Sequence, residues 1–227
     1  SAMLLEAALA LLALAAALVA RPWRLLASRK PLVHEAHGAP SALWTPLLAT
    51  LAILPWAWAL PTLHRMPLQL QWSGACLVLL MLGWPLAVPV LLAVGAIAAL
   101  VSPGLSWADA LGLAVWQGVV PATLALLLGA LLRRGAGTHA LGGVRPFVYV
   151  LGRAFLGTAA CVFVAGSLSQ WAGHTLPGVG EQLSLVARWL MAWGDAVVTG
   201  MLCAVFVAFK PEWLATWSDR LYLDGKP

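Results

Sequence analysis

Two arginines and an aspartate buried in apolar sequence, and one close pair of histidines, are the side chains here best placed to do chemistry. His34 and His37 stand three apart with Glu35 between them. On a helix that spacing turns both imidazoles to one side, where they and the carboxylate could clamp a transition metal. Solvated loop histidines beside an arginine-rich surface are the other reading of the same residues. His64, His139 and His174 are isolated in sequence. Arg153, Arg188 and Asp195 fall inside long apolar runs. A charge at mid-bilayer costs about 2.5–3.5 kcal/mol even on translocon-based scales, so each is expected to face the interior of a helix bundle or water. Arg188 and Asp195 are seven residues apart, two turns along one helix face. They point either to a substrate or ion site around Asp195 with an arginine counter-charge, or to a salt bridge locking the last two spans together.

Catalytic signatures are missing from the sequence. It has no Gly-rich phosphate loop, no H-E-x-x-H pair and no convincing Ser-His-Asp set, so an enzyme is not expected. With no nucleotide-binding motif of its own, energised transport would need a partner that hydrolyses ATP. Cys76, Cys161 and Cys203 all lie in apolar runs without C-x-x-C spacing, which predicts small packing residues and no disulfide framework.

The elements that must hold these residues are set by solvent. Of 227 residues, 62% are hydrophobic and 9% charged, and the mean hydropathy is +0.91. Soluble domains carry about 25% charged residues, which excludes that class. The net charge of +5 is then read as an orientation signal, and no nucleic-acid partner is expected. Ser1 and Ala2 read as the remnant of a cleaved tag, which makes Met3 the expected native start. The first apolar run, Met3 to Ala20, has Glu6 near its start and Arg21 and Arg24 after its end, the reverse of a signal peptide, so a retained helix is predicted. Its Ala13/Ala17 and Ala16/Ala20 pairs offer small faces for another helix, either within the chain or on a partner.

The expected fold is all-α, a polytopic transmembrane bundle over residues 3–209. Seven spans are predicted, at about 3–20, 41–63, 67–84, 85–101, 110–132, 146–170 and 183–209. The third and fourth come from one apolar stretch of 35 residues, 67–101. A single helix of that length would reach about 50 Å, against a hydrocarbon core of about 30 Å. Gly83, Pro85 and Pro89 mark the break. Seven spans leave Arg21, Arg24, Arg29 and Lys30, then Arg133, Arg134 and Arg145, then Lys210, Arg220 and Lys226 on one side, with Arg65 opposite. The positive-inside rule makes that side cytoplasmic, with the N-terminus outside and the C-terminus inside. The expected location is a bacterial inner membrane, with lipid as the first partner. Residues 210–227 are predicted to be a cytoplasmic amphipathic tail in which Trp213, Trp217 and Leu221 recur every four residues along a short membrane-anchoring helix.

The tail Lys210-Pro-Glu-Trp-Leu-Ala-Thr-Trp-Ser-Asp-Arg-Leu-Tyr-Leu223, with Gly194-Asp195 and Thr199-Gly200-Met201 ahead of it, resembles the end of a group of bacterial membrane proteins similar to the CbiM-like permeases. Gln71-Trp72-Ser73-Gly74-Ala75 and Arg145-Pro146-Phe147-Val148-Tyr149 extend the resemblance over most of the chain. It implies the substrate-binding membrane component of an energy-coupling-factor transporter for nickel or cobalt, working with separate transmembrane and ATPase subunits. The family's metal importers begin Met-His, whereas Met3 is followed here by Leu4, and a second ligand histidine corresponds to Gln71. An amide oxygen is a hard neutral donor where these metals favour imidazole. Either the substrate has changed or the fold is reused without metal capture. The resulting expectation is a pocket near the outer ends of the spans. Gln71 and Trp72 are its binding residues, Asp195 with Arg153 its buried polar support, and Arg188 the counter-charge. No cofactor is certain, a transition metal (nickel, cobalt or copper) being the one class left open. The competing reading is a non-transporting membrane interaction or assembly factor in which His34 and His37 hand on a metal.

Overall fold

A computed structural model of the chain describes residues 2–27, 41–64, 72–135, 147–176 and 179–217. Among them every regular element is helical. The order is α1 (Ala2–Val19), α2 (Trp23–Leu26), α3 (Trp44–Leu63), α4 (Ala75–Leu82), α5 (Trp84–Val101) and α6 (Trp107–Leu113). A π-helical turn over Ala114–Val119 then leads into α7 (Val120–Gly135). A second π-helical stretch, Val148–Leu156, leads into α8 (Gly157–Trp171), followed by α9 (Glu181–Phe209) and a 3-10 turn at Pro211–Trp213. Six of these rods are long and apolar enough to cross a membrane: Ala2–Val19, Trp44–Leu63, Trp84–Val101, Trp107–Leu132, Val148–Trp171 and Glu181–Phe209.

The third expected span takes a different form. Helix α4 has eight residues, about 12 Å of rise, less than half of a hydrocarbon core. Residues 72–74 before it are not helical, and Gln71 lies outside the described residues. The break itself falls at Gly83, whose φ of 80° and ψ of 159° belong to a region open to glycine alone. Pro85 then sits in the first turn of α5, where a missing N–H costs nothing. All eight residues of α4 are buried. This eight-residue helix is therefore at the centre of the bundle, and the long rods surround it.

Chain direction follows from two contacts. The Thr62 and Ser102 hydroxyls meet at 2.8 Å, so α3 and α5 finish at the same end of the bundle. At the opposite end, the carbonyls of Leu80 and Met81 meet the segment after α9. His64 therefore lies at the first end and Gly83 at the second, with α4 running toward the second.

That second end corrects the expected tail helix as far as Trp217; Leu221 lies beyond the described residues. After the turn at Pro211–Trp213 the backbone leaves helical geometry. The Ala215 N–H donates to Met81 O at 2.9 Å and the Thr216 N–H to Leu80 O at 3.2 Å. The last carbonyls of a helix have no partner within it, and in a dry interior the tail backbone supplies one. Leu214 and Trp217 are buried rather than lipid-facing, and Trp217 stands edge-on to Tyr149 with centroids 5.1 Å apart. On α1, Ala17 is fully buried and packs with Ala13 against Val88 and Val119, so this small-residue face serves packing within the chain, while Ala16 and Ala20 are exposed. The three cysteines are buried and unbridged.

Candidate functional site

At the end where α3, α5 and α8 finish, the helices part around a cavity of about 390 Å³. Thr62, Ser73, Trp116, Gln117, His174 and Arg188 contribute polar groups to its wall. Trp116 and Gln117 belong to the π-helical turn at Ala114–Val119, a wider turn of the kind that recurs at functional sites. Gly74 begins α4 beneath the cavity with a left-handed φ of 66°, a sharp turn that lets residues 72–74 end inside the bundle.

The floor is built on Asp195. It is 3% exposed, and one carboxylate oxygen accepts the Ser73 N–H at 3.0 Å. The other accepts the Thr199 hydroxyl at 3.4 Å. The Ser73 hydroxyl donates to Gln117 O at 2.5 Å, and the Ser73 carbonyl accepts the indole N–H of the fully buried Trp58 at 3.0 Å. Partners of this kind make non-helical backbone tolerable at this depth. The Trp72 indole N–H is turned toward the same carboxylate without reaching hydrogen-bonding geometry. Asp195 thus supports the site from below through Ser73.

The wall holds a second network centred on Glu6, which is 2% exposed. Its carboxylate accepts the Trp116 indole N–H at 3.1 Å and pairs with Nε2 of His174. Arg188 donates through Nε to Gln170 Oε1 at 3.3 Å and through Nη2 to His174 O at 2.7 Å. The Ser184 hydroxyl donates to the same Gln170 oxygen at 2.9 Å. Helices α1, α8 and α9 are thereby tied to one turn of chain at the cavity mouth.

The expected site residues divide accordingly. Arg188 lines the cavity, and Asp195 and Trp72 lie beneath it. Arg153 is elsewhere: it is buried on the second π-helical stretch, 5.8 Å from the Tyr149 ring centroid, in the space a side chain at Gly129 would fill. It does not support the cavity as expected. The salt bridge envisaged for Asp195 is also not formed; among the described residues the ion pairs are His174–Glu6 and Lys210–Glu212. Two turns of helix separate Arg188 from Asp195 by about 10 Å, and each has nearer partners. Gly200 approaches Phe155 on the second π-helical stretch, but Gly194 meets no neighbour. Gln71, His34 and His37 lie outside the described residues, and among those described no three His, Cys, Asp or Glu side chains gather as a metal site. Glu6, Trp116 and His174 went unrecognised from sequence because they are 110 and 168 residues apart from first to second and first to third. Glu6 alone carried a signal, as an acid just inside an apolar run. No protein-family model, curated protein or solved structure matches the chain.

Proposed function

We propose that this chain is the solute-binding membrane component of an energy-coupling-factor type transporter, related to the CbiM-like permeases but with a substrate other than nickel or cobalt. It binds and does not catalyse. The observation that carries this reading is the half-helix α4, which begins inside the bundle under a polar cavity. Interrupted helices in membrane proteins persist where their irregular backbone lines a substrate or ion site. The cavity's volume is in the range of small-molecule pockets, and Leu4 and Gln71 replace the nitrogen donors that nickel or cobalt would need.

We count seven crossings, a reading supported by His64 and Gly83 lying at opposite ends of the bundle. Arg21 and Arg24, beside the Leu25–Gly83 contact, lie at the end away from the cavity, with Lys210. The positive-inside rule makes this end cytoplasmic and opens the cavity outward. The partners are then lipid, a second transmembrane subunit and an ATPase. Affinity purification from native membranes should recover the latter two in stoichiometric amounts. Recovery of the chain with no nucleotide-hydrolysing partner would overturn the transporter reading and favour the assembly-factor alternative. An impermeant thiol reagent should label Thr175→Cys on intact cells, and Arg134→Cys only after permeabilisation.

A further inference from the structure

The charges around the cavity are unevenly satisfied. Glu6 has both Trp116 and His174. Asp109, a carboxylate of the cavity lining, is exposed at the rim. Arg188 is half-buried, and its two partners, Gln170 Oε1 and His174 O, are neutral. Among the described residues no carboxylate lies within ion-pair distance of it. A guanidinium has five N–H donors in a rigid fork and keeps its charge at any physiological pH. The two bonds it makes orient the fork and leave donors over for the cavity.

A partly desolvated cation held by neutral acceptors is incompletely compensated. Two oxygens of one anion complete it best, because paired N–H···O bonds to an oxyanion combine charge and geometry. Thr62, Ser169, Thr175, Trp116 and His174 line the rest of the space. We propose that the cavity binds a small solute through an oxyanion group docked on Arg188, carboxylate and phosphate sharing the required pair of oxygens. This rests on reading the cavity as the solute site, and it names the substrate class. Asp109 at the rim opposes such a ligand and holds its affinity down.

The test uses the full chain in nanodiscs of phosphatidylcholine, titrated calorimetrically with succinate, with inorganic phosphate and with nickel(II). One of the two anions should bind saturably, its identity separating carboxylate from phosphate recognition. Arg188→Gln should weaken that binding by about tenfold or more. Arg188→Lys, which keeps the charge but loses the fork, should fall between. Asp109→Asn leaves the bonds of Arg188 intact and should tighten binding about two- to fivefold, so the proposal stays testable if Arg188→Gln fails to fold. Binding of neither anion, anion binding indifferent to both positions, or nickel binding weakened by Asp109→Asn would each overturn it. No ATPase is present, so this outcome is independent of the purification that tests the transporter reading.

Discussion

The two ends of α4 face one physical problem and meet it differently. Each end carries backbone groups that the helix cannot satisfy. At the amino end, side chains from distant helices do the work: Asp195 accepts from Ser73, Trp58 donates to Ser73, and Ser73 reaches Gln117. At the carboxyl end, a following segment does it with its own backbone, Ala215 and Thr216 donating to Met81 and Leu80. Side chains can hold a polar group at arm's length, and a cavity remains above Ser73. Backbone pairing brings chain against chain, and Leu214, Trp217 and Tyr149 fill the space that would otherwise be left. The open end is fit to take a ligand, and the closed end to be stable.

The sharpest way to break the contrast is at the closed end. Trp217→Ala removes a buried aromatic and its edge-on contact with Tyr149, and should cost about 3–5 kcal/mol. Reversible unfolding in mixed micelles would show it, with ligand binding at the cavity retained; a loss of binding equal to the loss of stability would mean that the two ends are not separable. Asp195→Ala should act on both properties, leaving the Ser73 N–H and Thr199 hydroxyl unpaired at a cost of about 2–4 kcal/mol. Asp195→Asn, which retains an acceptor oxygen, should recover at least half of that in the same assay. Glu6→Gln weakens the pairing with His174 while keeping an acceptor for Trp116, for about 1–2 kcal/mol, and hydrogen exchange in α1 should speed up more than in α5. The smallest effect is expected from Thr216→Val. It removes the hydroxyl bonds to Leu80 O at 2.7 Å and to Tyr149 at 2.7 Å, about 1 kcal/mol, with no change at the cavity.

Much of the framework was legible because lipid imposes a simple rule of length and polarity. The six long rods coincide with apolar runs, and the glycine between Leu82 and Trp84 announced the break in the 35-residue stretch. The same rule misled over α4, since the 18 residues 67–84 read as one helical span although residues 72–74 are not helical. It also misled over the tail. Trp213 and Trp217 at four-residue spacing suit an interfacial helix, but the unpaired carbonyls of Leu80 and Met81 drew that segment into pairing with backbone 136 residues earlier. For the site, Arg188 and Asp195 stood out as charges in apolar sequence. They do not pair with each other, because periodicity reports a shared face and not which neighbouring helix supplies the nearer acceptor.

Composition and the order of apolar runs by themselves determined an all-helical, membrane-compatible chain, since in hydrocarbon a helix satisfies its own backbone and needs no knowledge of its neighbours. Only the tertiary structure decided that the half-length helix α4 would lie at the centre, that Glu6, Trp116 and His174 would meet, and that Arg188 would face a cavity while Arg153 would not. Those outcomes depend on which orphaned polar groups come within reach of each other once the rods pack, and that is a property of the assembled bundle.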